Sequence, residues 1–393
     1  MRRRSRWVPL VTLALLGTAV AVPIATAPAS AAPAQAERKL IHEGMGSYPR
    51  LIRLEHSAVA KGRIIASITS EDGAGRYAPI YESRDEGKTF TKISEVRDPE
   101  GGPGGMCCGT LYELPQQVGD MRKGTLLWAA TYGHSAGQTR RVGIKVWSSR
   151  DAGRTWKYLA EPVRSHNHDG MYEPEFILDA NGTLVMHFAD ETEAPKFAQV
   201  LNRVTSTDGV NWSTKQRTMA IPPDPVRPGM PIVRRLPDGR YYFAYEICNY
   251  RDRYCDPYFK ISPDGANYGD PGAPGVRAQA AGGKHYEHAQ TITLFPGAAP
   301  ERPRILMVGQ IYVDAKGKPL PGNGKTLLAN DNLGEGEWYE VPAPVHVANP
   351  INDWCPNYSS TLLPVNGGND VLQIAADYDN GTCRAYFATG PSR

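Results

Sequence analysis

The chain has 393 residues, 41% of them hydrophobic, with 44 Lys+Arg against 41 Asp+Glu and a formal charge of +3. That small excess comes from the extreme N-terminus, where Arg2, Arg3, Arg4 and Arg6 stand with no acid among the first 36 residues. Without those four, 40 basic residues face 41 acidic ones, a balance that excludes a nucleic-acid partner or an anionic membrane surface as the main target.

In chain order, the four arginines precede an apolar run from Trp7 to Val22, and small residues follow through Ala32 and Ala36. This is the pattern of a secretory leader over residues 1–32, with cleavage as late as residue 36 as an alternative. The mature chain is expected outside the cell, with no membrane attachment, since no second apolar run is long enough to span a bilayer. Residues 37–393 carry many Gly and Pro (40 and 33 in the whole sequence) but no linker-like stretch, and read as a single domain. The six cysteines fall within it. Proximity pairs Cys248 with Cys255 and Cys355 with Cys383; Cys107 and Cys108 are adjacent, and a vicinal disulfide and two free thiols both remain open.

Six units follow at intervals of roughly 40 to 50 residues, the signature of a propeller. Mostly apolar inner strands are expected at 49–54, 108–114, 176–178, 230–236, 289–294 and 359–363. Second strands are expected at 63–69, 125–131, 184–188, 241–245, 304–310 and 371–376. Four units then carry one pattern, Ser, Asp two residues on, Gly and a closing aromatic: Ser83 to Phe90, Ser149 to Trp156, Ser206 to Trp212 and Ser262 to Tyr268. It resembles the Asp box of sialidase-like β-propellers. A degenerate copy runs from Asn330 to Trp338, and residues 39–42 are expected to complete the last unit as its outer strand. The fold class is therefore all-β, a six-bladed β-propeller of four-stranded blades with Asp-box turns.

Antiparallel order within each blade puts first-strand starts and second-strand ends on one face near the axis, and the Asp boxes on the opposite face. The boxes are thus structural. The axial face collects carboxylates, aromatics and histidines, which suits sugar binding and glycosidic cleavage, a chemistry that needs one protonated and one ionised carboxyl group. Glu173 and Glu246 are the candidate catalytic pair. Strand alternation lets one of Glu173 and Glu175 face the axis, and Glu173 is preferred. Candidate substrate contacts are Arg50, Asp72, His134, Glu175, Asp190, Arg227, His288, Gln290 and Tyr358, the last also open as a nucleophile. The loops 249–256 and 101–105 are candidate pocket walls. No cofactor or metal is expected, the partner being an oligo- or polysaccharide and the protein a monomer.

Tyr48-Pro49-Arg50, Tyr172-Glu173-Pro174, Arg227-Pro228-Gly229-Met230-Pro231 and Tyr245-Glu246 together resemble glycoside hydrolase family 93. That resemblance covers the whole mature chain and implies a six-bladed exo-α-1,5-L-arabinanase that releases arabinobiose with retention. It carries the family's two glutamates onto Glu173 and Glu246, with Glu246 favoured as nucleophile, and its substrate-side tyrosine onto Tyr358. The chain departs at Tyr172, where an indole is expected. A sialidase is the rival enzyme, but it needs three arginines to grip a carboxylate. Beyond Arg50, the stretches 186–190 and 326–330 supply none. A carbohydrate-binding propeller without turnover is the rival class; it has no need of two paired acids.

Overall fold

The computed structural model describes residues 37–102, 104–299 and 302–393; the leader expected over residues 1–32 lies outside them. Six four-stranded antiparallel sheets form the blades. Their first strands are Ser47–Arg53, Met106–Glu113, Met171–Leu178, Arg227–Arg235, Thr291–Ala299 and Thr361–Val365. Their second strands are Ile64–Asp72, Leu126–Tyr132, Leu184–Asp190, Tyr241–Cys248, Arg302–Val308 and Asp370–Asp379. The ring closes where Lys39 and Leu40 pair with Phe387 and Tyr386, so the N-terminal segment is the outer strand of the last blade, as the sequence implied.

The inner strands read as unbroken apolar runs because each blade is covered on both faces. Successive side chains point to opposite sides, and each side meets a different neighbour. Tyr241, Phe243 and Tyr245 pack with Val185, Ala189 and Leu201 of blade 3. Tyr242 and Ala244, between them, pack with Ile305, Met307 and Leu328 of blade 5. The same division recurs in blade 1, where Ile65 faces Leu126 and Trp128 while Ile64 and Ala66 face Leu372 and Ile374. Six apolar seams of this kind, one between each pair of neighbours, run around the ring. Burial of a large side chain in such a seam contributes about 1.5–3 kcal/mol.

The Asp boxes cap the third-strand turns. Ser83 Oγ accepts from the Gly87 N–H at 2.9 Å while Asp85 accepts from the Thr89 N–H and hydroxyl. Ser149 and Asp151 repeat this set. Trp156 and Trp212 donate their indole N–H to Gly153 O and Gly209 O, each at 3.1 Å, which fixes the ring over the turn. The fifth box keeps the geometry with different chemistry: Asn330 Oδ1 takes the serine's place, accepting from the Asn332 and Gly334 N–H groups.

One device recurs at the axial start of the first strands. The register slips between Ser47 and Arg50, Cys107 and Thr110, Tyr172 and Glu175, and Gly229 and Ile232. In each slip a non-glycine residue takes a left-handed backbone: Tyr48 (φ 49°), Cys108 (61°), Glu173 (63°) and Met230 (53°). Ala289 (52°) and Ser359 (50°) do the same just before the first strands of blades 5 and 6. Such conformations are costly for a residue with a Cβ and persist where the surroundings impose them. These bulges turn side chains out of the strand alternation and toward the axis.

Candidate active site

A cavity of about 490 Å³ opens at the axial end where first strands start and second strands end. Glu173 enters it from the blade 3 bulge, and Glu246 from the second strand of blade 4. Both approach the same place. Gly229 sits opposite Glu246 in the blade 4 ladder. A Cβ there would lie 3.4 Å from Glu246 Oε1 and 3.7 Å from Glu173 Oε2. The absence of a side chain at 229 leaves the gap between the two carboxylates open.

The two acids differ in environment. Glu173 Oε2 accepts from the Met230 N–H at 2.6 Å, but burial, and then the charge of Glu246, push its pKa up to about 7. Glu246 Oε2 accepts from the Ala289 N–H at 2.7 Å and faces His288 Nδ1 at 3.2 Å. Burial works against a charged His288, yet the neighbouring Glu246 carboxylate outweighs it and the net pKa moves up. Glu246 thus favours a protonated His288 beside it, and burial favours a protonated Glu173, so the two acids stand in unlike surroundings, as acid/base chemistry on one bond requires.

The rest of the lining is polar and aromatic. Arg227 bridges Glu191 at 2.5 Å and Gln199 at 2.7 Å, and Gln199 is held by Pro228 O. Tyr358 stands with its ring 5.4 Å from His288 and 6.1 Å from Tyr48. Burial, then the charge of Glu173, keep its phenol well above its ordinary pKa, so it offers a neutral hydroxyl rather than a phenolate nucleophile. Tyr172 reaches the pocket with its hydroxyl on Arg140 at 2.5 Å. Cys248, Asn249, Tyr254 and Cys255 form one wall, with Cys248 and Cys255 bonded, so the loop expected at 249–256 is a wall as anticipated. Cys355 and Cys383 are also bonded, whereas Cys107 and Cys108 are thiols in the pocket lining.

Several expected contacts lie elsewhere. The bulge in blade 3 breaks the alternation that set Glu173 against Glu175. Both face the axis, at different depths: Glu175 lines a second cavity of about 510 Å³ farther down the first strands, bound by Thr110, the Val233 N–H and Arg234. Arg50 lines that cavity too, under the ring of Tyr48 at 4.2 Å and tied to Pro49 O and Ser359 O. Asp190 is fully buried among Thr192, Asn202 and Lys215, and the next residue, Glu191, reaches the pocket instead. Asp72 is drawn to the exposed rim by a hairpin that continues to Gly75, and pairs with Arg97. His134 sits against Gly105, with burial lowering its pKa to about 4. Gln290 is completely buried, and its amide meets no partner among the described residues. The loop 101–105 packs on the backbone at Arg76 and borders a groove outside the pocket. Gln199 was not among the expected residues, whereas Asn249 and Tyr254 belong to the loop expected as a wall and Glu191 to the second-strand end from which Asp190 was chosen.

No protein-family model matches the sequence, and no curated protein matches it by sequence. Solved structures do match its fold. An alpha-L-arabinanase from Penicillium chrysogenum, complexed with arabinobiose, gives a TM-score of 0.76 at 25% identity, covering 91% of this chain and 99% of that one. A GH93 alpha-L-arabinofuranosidase from Fusarium graminearum, also with arabinobiose, gives 0.73 at 20% identity over 91% and 97%. The alpha-L-arabinofuranosidase of the same fungus with an iminosugar inhibitor gives 0.73 at 20% over 91% and 98%. The chain shares the six-bladed propeller fold of these enzymes. Its structural neighbours are an arabinanase and arabinofuranosidases, one of the latter a GH93 enzyme.

Proposed function

We propose that this protein is an exported, exo-acting, retaining glycosidase that cleaves α-1,5-linked arabinofuranan and releases arabinobiose. The observation that carries the reading is the meeting of Glu173 and Glu246 across the gap at Gly229, with burial raising the Glu173 pKa to about 7 and the Ala289 N–H donating to Glu246. A gap bounded in this way accommodates the roughly 5–5.5 Å carboxyl separation of retaining pairs. The solved relatives bind arabinobiose, which supports the substrate class.

In this mechanism Glu246 attacks the anomeric carbon. It is held by the Ala289 N–H and His288, so its attacking oxygen faces the gap without reorganisation. Glu173 donates its proton to the leaving oxygen as the bond breaks. In the second step it takes a proton from water, which then displaces the sugar from Glu246. Arg227, Tyr358 and Gln199, which line the same cavity, hold sugar hydroxyls in this reading. The wall built by the bonded Cys248–Cys255 loop and Tyr254 closes one side, which favours attack at chain ends.

A sialidase would need a cluster of arginines around an anionic sugar. Among the described residues Arg227 is the one arginine lining this pocket, and it is already engaged by Glu191. The test is hydrolysis of debranched, linear α-1,5-arabinan with products read by chromatography and Glu246→Gln as control. Arabinobiose from the native protein and none from the variant is the expected result; equal turnover by both would remove Glu246 from the mechanism.

A further inference from the structure

The blade 2 bulge delivers a pair of adjacent sulfurs, where blade 3 delivers a catalytic carboxylate. Cys107 and Cys108 both line the cavity, and both are half-buried thiols. Cys108 has the left-handed backbone at the position equivalent to Glu173, and packs with Tyr48, Met230, Ala289 and Tyr358 in one cluster, of which Cys108 and Tyr358 line the pocket. The two thiols touch: the hydrogen bond with Cys107, and then burial, push the Cys108 pKa well up. The neighbouring lining is charged or amide-bearing at Glu173, Glu191, Gln199 and Arg227. The sulfurs are therefore the soft, apolar part of this wall. The other four cysteines are bonded in pairs, so any environment that forms this protein oxidises its thiols.

We propose that Cys107 and Cys108 are a modification site, oxidised in the mature protein to a vicinal disulfide that forms a rigid apolar platform for one face of the bound sugar. The oxidant is a small-molecule or protein disulfide of the class that closes the other two bridges. One cysteine thiolate attacks it and gives a mixed disulfide. The second cysteine displaces the departing thiol. Two S–H bonds are lost and one S–S bond forms, and the oxidant leaves as two thiols carrying the electrons and protons. Closing the pair removes two weak S–H donors and the rotamer freedom of both side chains, so the wall is fixed before the sugar arrives.

The test counts thiols in the full mature chain, in preparations where Cys248–Cys255 and Cys355–Cys383 are bonded. The protein is unfolded in acid without reductant, alkylated with iodoacetamide and weighed. No alkylation before reduction and six alkylated cysteines after it are expected, with the peptide spanning residues 107 and 108 lighter by two hydrogens when unreduced. Two alkyl groups on Cys107 and Cys108 before reduction would overturn the proposal. This count does not depend on the proposed activity. The platform's role does, and is read on linear α-1,5-arabinan after mild reduction that opens this pair alone. KM should rise by about threefold to tenfold with kcat nearly constant, as expected when preorganised ground-state binding is lost. The Cys107→Ser/Cys108→Ser double variant should show the same KM and no response to reductant. An unchanged KM after opening would refute the platform role.

Discussion

Gly229→Ala tests whether the sugar occupies the space between the two glutamates. Gly229 is buried on the first strand of blade 4, and its backbone lies outside the left-handed region, so alanine brings no dihedral strain. The new methyl would fall 2.8 Å from Gln199 Nε2, 3.4 Å from Glu246 Oε1 and 3.7 Å from Glu173 Oε2. The first distance is too short, and Gln199 must move away from Pro228 O. Loss of that one hydrogen bond costs about 1 kcal/mol, a fall in Tm of under about 3 °C. The effect on catalysis is far larger, because the methyl fills the gap and displaces the scissile bond. A misplacement of about 1 Å lowers the rate roughly 100-fold, equal to about 2.7 kcal/mol of transition-state stabilisation. Steady-state kinetics on linear arabinan beside a thermal melt separates the two effects. A folded variant with kcat/KM within about threefold of the native value would refute the placement of the substrate.

Glu173 makes two further predictions. As the acid, it must be protonated, so kcat/KM should fall as pH rises through about 7, and Glu173→Gln should remove about 10²- to 10⁴-fold of rate and that alkaline limb together. Its carboxyl also burdens the fold: with its pKa raised from 4.5 to about 7, the native state binds more protons than the unfolded chain across that window, and stability declines as pH rises through it. Glu173→Gln should therefore melt at the same temperature as the native protein near pH 4 and be more stable by about 3 kcal/mol above pH 7, as read by melts across pH. Removing the wall bridge with Cys248→Ser/Cys255→Ser should cost about 2–3 kcal/mol in urea unfolding and raise KM more than it lowers kcat. Phe243→Ala, in the seam with His187, Tyr245 and Tyr268, should cost about 3–5 kcal/mol in the same assay.

The blades and their closure were legible because two local signals agreed. Ser, Asp, Gly and an aromatic at fixed spacing mark the third-strand turns, and continuous apolar runs mark strands covered on both faces. The rule that function gathers at first-strand starts and second-strand ends also led to Glu173, Glu246, Arg227, His288 and Tyr358, all of which meet in the pocket. Two of its errors share one cause. Strand alternation assumes unbroken ladders, and the bulges at Tyr48, Cys108, Glu173 and Met230 break them. Hence Arg50 and Glu175 point to the lower cavity, although their spacing from the bulge residues looked equivalent. Asp190 and Glu191 show the same sensitivity at a strand end: one residue decides between a buried hydrogen-bond hub and the pocket. Gln199 and Tyr254 come from a third-strand approach and a cross-linked loop, and no periodicity announces either. In the fifth box, Asn330 was recognisable by position, since its amide oxygen accepts the same turn N–H groups as a serine hydroxyl.

The most direct measurement of the central claim is azide rescue of two alanine variants on an activated arabinofuranoside. Glu246→Ala with azide should yield a glycosyl azide of inverted anomeric configuration, since azide replaces the nucleophile. Glu173→Ala should yield one of retained configuration, since azide then attacks the intermediate on Glu246 in place of water. Native-like hydrolysis by either variant, without azide and without a glycosyl azide product, would contradict the account.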